Sequence, residues 1–357
     1  MPRTFTLASR ASQLAQIQTN IVLAAFQELY PPSANDDSFP KFTTSFMSTA
    51  GDKNQSQALY LLGGKALWTK ELEVALKDGE VDMLIHSCKD VPTTLPEGCI
   101  ISAILEREDP VDSLVVKKGE TWKTLDDLPK GSVVGTSSVR RVAQLKRKYP
   151  DLKFLDVISR RRLISGRRNT RLAKLDASDG PYAALILAKA GLVRLGMGDR
   201  ISSDITPPTL YHAVSQGALA IEVRSDDAEA IELCKRITHR ETLWKCSAER
   251  ACLRVLEGGC SVPVGVASDL SKDAQSGAEV LTLTGSVTAI DGSVHVEHTL
   301  KEAINSLEDA EKVGAKLAKI LIDTGAKKIL DEINVDRERR VAEAKIEDQV
   351  KATESIA

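Results

Sequence analysis

Residues 133–150 read VVGTSSVRRVAQLKRKYP, and residues 6–31 open with TLASRASQLAQ and close with FQELYP. Each stretch passes from an apolar strand pattern through Ser and Arg into a helix carrying Gln, and each stops at Tyr-Pro. This echo predicts two similar lobes, each presenting a Ser- and Arg-bearing helix start to a shared cleft. Helix N-termini carry unpaired N–H groups and a partial positive charge, so each start is a natural seat for a carboxylate or phosphate.

Outward from these stretches, strands and helices alternate to about residue 225, the signature of α/β layers. FTTSFMST, VDMLIHS, CIISAIL, SVVGTSS, AALILAKAG and ALAIEV read as strands, with helices over SQLAQIQTNIVLAAFQELY, TKELEVALKDG and SVRRVAQLKRKY. Beyond Ala228 one long helix is predicted as far as Glu257, where Gly258-Gly259-Cys260 breaks it. Alternating strands follow in EVLTLTGSVTAIDGSVHVEHTL, with Asp291-Gly292 as a hairpin turn, and residues 306–333 return to helix. This third region reads as a smaller α+β domain.

A chain of 357 residues, 42% hydrophobic and 27% charged, has the composition of two or three ordinary globular domains. TFTLAS near the start reads as a first strand, leaving no room for a leader, and no apolar run is long enough to span a membrane, so a cytoplasmic location is expected. The cysteines at 88, 99, 234, 246, 252 and 260 form no CxxC pattern and are expected to be thiols.

Between Arg140 and Lys174 stand 13 Lys and Arg residues against Asp151 and Asp156, in a chain of formal net charge −2. A nucleic-acid partner is disfavoured, because aromatic residues are 4% of the chain, too few for a base-stacking surface. Arg140 and Arg141 directly follow a strand-end Gly-Thr-Ser-Ser, where arginine suits bidentate carboxylates. A ligand with several carboxylates accounts for the surplus. HSCKDVP, residues 86–92, follows the strand VDMLI and emerges at a strand's carboxyl end, where open α/β sheets bind ligands. Asp90 there can stabilise a cation or carry protons, while His86 reads as structural. Cys260 follows two glycines that clear space around its sulfur, a setting for covalent attachment. No Walker sequence, GxGxxG or metal-ligand cluster is present.

Together these stretches resemble the porphobilinogen deaminase family over residues 4–330, through LASRASQLAQ, GGKALWTKELEVAL, HSCKDVPTTLPEG, AILEREDPVDSLV, NTRLAKLD, ILAKAGLVRLG, SQGALAIEVR and ERACLRVLEGGCSVPV. The resemblance implies two lobes like type II periplasmic binding proteins around a cleft, with a smaller α+β domain behind. The implied boundaries are 1–106 with 218–238, 107–217 and 239–330, with 331–357 as a charged tail. It implies a dipyrromethane cofactor bound through a thioether at Cys260, with Asp90 as catalytic carboxylate. Arg10 and Ser12 match incoming-substrate contacts. Lys65, Lys89, Thr136, Ser137, Ser138, Arg140, Arg141, Arg171, Arg194 and Gln216 match the cofactor- and chain-binding set. The activity implied is head-to-tail condensation of four porphobilinogen molecules, with loss of ammonia, by a monomer without nucleic-acid or membrane partners. Each pyrrole carries two acid side chains, and charge-assisted contacts of about 1.5–3 kcal/mol each suit them.

One stretch departs from the pattern. After DV, the chain runs ISRRRLISGRRNTR, about eight residues longer than the family, and the Arg-Gly-Asn expected there is absent. The substrate-binding arginine then falls to Arg162 or Arg167, or is lost. The stretch reads either as a mis-spliced gene segment or as a loop that weakens activity. The rival functions are a non-catalytic anion-binding protein of the same bilobal build and an inactive relative. A receptor needs neither Cys260 nor Asp90.

Overall fold

The computed structural model describes residues 2–31, 39–48, 66–157, 170–256, 262–336 and 339. Strands β1 (Thr4–Arg10), β2 (Lys41–Met47), β3 (Met83–Ser87), β4 (Cys99–Ile104) and β10 (Leu219–Arg224) form one sheet in the order β2-β1-β3-β10-β4. A second sheet runs β7-β6-β8-β5-β9, built from β5 (Asp112–Val116), β6 (Val133–Gly135), β7 (Lys153–Leu155), β8 (Ala184–Ala188) and β9 (Ser203–Ile205). The orders superpose position by position: β6 stands where β1 stands, β7 for β2, β8 for β3, β5 for β10 and β9 for β4. In each sheet one strand runs antiparallel to its neighbours, β10 between β3 and β4 and β5 between β8 and β9. This is the doubled α/β architecture of type II periplasmic-binding lobes, and the echo at residues 6–31 and 133–150 is its sequence trace.

Helix α1 (Gln13–Leu29) follows β1, and Ser12 caps it by accepting from Ala15 N at 3.4 Å. Helix α2 (Ala66–Lys77) precedes β3. In the second lobe, α3 (Val139–Lys148) follows β6 and is capped by Ser138, which accepts from Arg141 N at 3.4 Å. Helices α4 (Thr170–Asp176) and α5 (Lys189–Arg194) flank β8. Phe5, Leu7, Val22, Phe26, Met83 and Ile221 pack the first lobe, and Leu114, Val134, Leu145 and Ile186 the second. Apolar burial of this kind contributes about 25 cal/mol per Å².

The third region differs from its sequence reading in two respects, one being a break at Gly325, φ +116°, in the helix expected over residues 306–333. The stretch from Ala228 is two helices, α6 (Ala228–Arg236) and α7 (Arg240–Val255). They part because the His239 side chain accepts from Thr242 N, a cap that stops one helix and starts the next. Strands β11 (Val264–Lys272), β12 (Glu279–Thr288) and β13 (His295–Ile304) make an antiparallel sheet covered by α7 and α8 (Leu307–Leu321). The turn between β12 and β13 carries Gly292 at φ +81°, as the Asp-Gly signal predicts. A Cβ on Gly292 would come within 2.7 Å of Arg147 N, so the hairpin rests on the backbone of α3.

Two chain crossings join the lobes, residues 105–111 outward and 210–218 back. Arg107 Nε donates to Gln216 O at 2.7 Å, and Gln216 Nε2 donates to Pro110 O at 2.7 Å, so the crossings are tied to each other. Glu249 on α7 binds both: it accepts from Arg107 Nη1 at 2.6 Å, from Arg107 Nη2 at 3.1 Å and from Ser215 N at 2.6 Å. Among the described residues, no helix is long and apolar enough to cross a membrane.

Candidate active site

Strand β3 ends at Ser87 and passes into a 3-10 turn, Cys88–Asp90, which brings Lys89 and Asp90 to the carboxyl end of the sheet. Arg10 ends β1 alongside. A pocket of about 470 Å³, counting the solvent at its mouth, is lined by Arg10, Ser12, Gln18, Thr69, His86, Ser87 and Asp90, among others. It therefore sets a cation and a carboxylate against each other over the capped start of α1. Gln18 Nε2 donates to Ser87 Oγ at 2.8 Å and holds the end of β3 against α1.

Lys89 reaches the other way, donating from Nζ to Gln216 Oε1 at 3.1 Å. Gln216 Nε2 in turn donates to Asp112 Oδ1 at 2.8 Å. Arg141 Nη2 meets the same oxygen at 2.7 Å, and Arg140 Nη2 meets Asp112 Oδ2 at 2.8 Å. The carboxylate that Arg140 and Arg141 grip is thus the chain's own Asp112, at the start of β5. Their remaining contacts go to carbonyls, Arg140 Nη1 to Tyr211 O at 2.5 Å and Arg141 Nη1 to Ile186 O at 2.7 Å. Burial alone would raise the Asp112 carboxyl, and the two guanidinium groups overcome it and hold it far below the usual range. Burial pushes the half-buried Lys89 ammonium down to about 8, with Asp90 pulling the other way and the guanidinium groups adding to the fall.

The outcome for the predicted site is specific. Arg10, Ser12 and Asp90 share one pocket, and Lys89, Gln216, Arg140 and Arg141 share one hydrogen-bonded chain that crosses from the first lobe to the second. Thr136 is buried and its Oγ1 accepts from Ser138 N at 3.3 Å; Ser137 Oγ donates to the Asp156 carboxylate. Arg171, exposed on α4, feels the charges of Arg141, Asp90 and Asp156. Arg194 Nη2 donates to Gly217 O at 2.7 Å, beside Gln216. Lys65, Arg162, Arg167 and Cys260 lie outside the described residues. Gln18, Thr69 and Ser87 were not singled out in the sequence, and His86, read there as structural, lines the pocket.

One atom tests whether an acid-bearing ligand fits. Arg141 Nε is buried without a hydrogen-bond partner, an arrangement that costs about 1–3 kcal/mol unless something accepts from it. With Lys89, Arg171 and the N–H groups of a Ser-capped helix around it, a ligand carboxylate is the acceptor these residues suit, and Asp90 suits the N–H of a pyrrole. Among the described residues, no group of His, Cys, Asp and Glu is arranged to hold a metal ion.

Two lobes with a carboxylate and an arginine in one pocket, and further cations along the crossing between them, have the build of an enzyme that handles acid-bearing ligands. The chain belongs to the porphobilinogen deaminase family: residues 5–232 match the porphobilinogen deaminase, dipyromethane cofactor binding domain, and residues 243–323 match the C-terminal domain. It is 47% identical over 337 residues to the porphobilinogen deaminase of a Nostoc species, covering 94% of this chain and 97% of that one. The Synechococcus elongatus enzyme is 48% identical over 332 residues, covering 93% and 96%. The Saccharomyces cerevisiae enzyme is 45% identical over 341 residues, covering 94% and 99%.

Proposed function

We propose that this chain condenses four porphobilinogen molecules head to tail, releasing four ammonia molecules and consuming one water to yield hydroxymethylbilane. The observation that carries the reading is that Asp90 and Arg10 line one pocket. Arg10, with Ser12 at the start of α1, receives the acid side chains of the incoming pyrrole. Asp90 sits where it stabilises positive charge developing on pyrrole nitrogen and moves protons at that nitrogen.

The residues suited to hold the dipyrromethane are Lys89, Ser137, Ser138, Arg141, Arg171 and Arg194, with attachment through Cys260 in a thioether. When bound, it supplies the free pyrrole carbon to which porphobilinogen is joined. Arg140 contributes indirectly, by fixing Asp112 and so the orientation of Arg141 and Gln216. The anion-binding and inactive alternatives are not favoured beside the family match. A monomer in a reducing, cytoplasmic setting is part of the proposal, and the five described cysteines, all buried and unpaired, suit it.

The test is the intact mass of the denatured chain beside Cys260→Ser. An excess of two pyrrole units in the first and none in the second is expected. No excess in either overturns both the attachment and the enzyme reading.

A further inference from the structure

The turn that carries Asp90 is held at both ends by groups outside its own strand. At its entry, Cys88 N donates to Ala218 O at 2.9 Å, on the return crossing. At its exit, Pro92 keeps Val91 extended, at φ −80° and ψ 130°, and Val91 N donates to Cys88 O at 3.2 Å to close the turn. The carbonyls that follow both meet one side chain from the third region. Arg250 on α7 donates from Nη1 to Val91 O at 3.1 Å and from Nη2 to Pro92 O at 2.5 Å.

Arg250 is 7% exposed. Arginine is rarely buried so deeply without a specific partner, and here the partner is the backbone directly after Asp90. A guanidinium presents its N–H groups in a rigid plane, so two bonds to successive carbonyls fix the direction of the chain as well as its position. Cys246, one helical turn before Arg250 on the same face of α7, packs with Cys88 in a cluster with Ile104, Ala218 and Ala220. The turn is thus seated on α7 by an apolar contact before Asp90 and a polar one after it. Asp90 itself is exposed, so burial of its own side chain does not place it. The chain of α7 runs on from Val255 to Cys260, the attachment residue of the proposed function. One element therefore grips the Asp90 turn and leads to the anchor of the cofactor.

We propose that Arg250 is a positioning residue: by gripping Val91 and Pro92 from α7, it holds the Asp90 carboxylate in register with the pyrrole chain anchored beyond that helix. The inference rests on the proposed function and deepens it. With its guanidinium buried against the backbone of the turn, Arg250 acts through Asp90 and not on the substrate. Arg10, which receives the acid side chains, ends β1 and lies outside this grip, so substrate binding and carboxylate placement are separable. Glu249, the preceding residue, holds Arg107 and Ser215 N on the lobe crossings, so adjacent positions of α7 fix different parts of the molecule.

The test is a double-mutant cycle in the holoenzyme with Arg250→Gln, Asp90→Asn and the pair. It reads kcat and KM for porphobilinogen, per chain shown by intact mass to carry two pyrrole units. Arg250→Gln is expected to lower kcat about 10- to 100-fold with KM within about twofold, because a misplacement of about 1 Å costs on that order. In the Asp90→Asn background the same change should cost less than about twofold, since the group it positions is already gone. Arg250→Lys keeps the charge without the planar fork and should fall between, about three- to tenfold below wild type. An equal fold-loss with and without Asp90 makes Arg250 a structural tie alone and overturns the proposal, as does an unchanged kcat in Arg250→Gln or full activity in Asp90→Asn. Should Arg250→Gln fail to fold or to load, the cycle is run with Arg250→Lys and the same outcomes decide. A loaded, active wild type with equal losses sinks this inference alone; a wild type without pyrrole units or turnover sinks the enzyme reading and this inference with it.

Discussion

Asp112 and Arg141 form a buried ion pair, Oδ1 to Nη2 at 2.7 Å, with side-chain exposures of 0% and 9%. Arg140 completes it from the same helix at 2.8 Å. One carboxylate therefore compensates two guanidinium groups, and the group is net positive by design of its neighbours. Asp112→Asn leaves both cations buried without a counter-charge, and a loss of about 3–5 kcal/mol in urea unfolding is expected. A change below 1 kcal/mol would show that the cations find another partner.

The second prediction concerns acid. Glu249 is fully buried, and although burial raises its carboxyl, Arg107 more than offsets this and brings it down to about 2, against 4.5 ordinarily. A depressed folded value means that the stabilisation is present above pH 4.5 and is lost as pH falls from there through 2, an amount on the order of 3 kcal/mol. Melting temperature should drop over that window, and Glu249→Gln, already destabilised at pH 7, should show a shallower drop.

Lys89 predicts an alkaline limb. With its ammonium at about 8, the charge fades as pH rises through that value, and kcat/KM for porphobilinogen should fall with it. The stability sign is the reverse: a buried cation costs the fold most below pH 8, and that cost fades towards 10.5, so this group does not cause unfolding there. Lys89→Arg keeps its charge and should move the limb upward.

Asp90 is exposed to the cleft, so Asp90→Asn should leave the melting temperature within about 1 °C. Porphobilinogen consumption should fall about 10²- to 10⁴-fold, the range for loss of a positioned acid–base group. Retention of a tenth of the activity would remove Asp90 from its assigned role.

Gly314 tests the third region. A Cβ there would lie 2.0 Å from Ala248 O, where α8 crosses α7. Gly314→Ala must force the helices apart, and a loss of at least about 1–3 kcal/mol is expected in thermal unfolding.

Much of this was legible in the sequence because it is local. The repeated strand–Ser–Arg–helix pattern reports a repeated strand order, and Asp291-Gly292 reports its own turn. What escaped depends on distant pairings. Nothing local says that Arg140 will meet Asp112, 28 residues earlier, instead of a ligand. His86 looked like a lone core histidine because its partner, Glu222, lies 136 residues away. Thr69 and Gln18 did carry a signal, as polar residues among the apolar positions of their helices, but such residues also satisfy cores without function. The break at His239 was hidden because its cap is a histidine, outside the usual Ser, Thr, Asp and Asn set.

The tie between the two lobe crossings has a mechanical consequence. Two chain segments pinned to each other near Gln216 resist being drawn past one another, yet each retains its backbone torsions on either side of the pin. Such a joint transmits twist and blocks sliding. The first lobe supplies Arg10, Ser12, Thr69, His86 and Asp90 from its own elements, so the pocket rides whole on one side of the joint. Rotation of the second lobe then changes how much room lies beyond the pocket without altering the distances inside it.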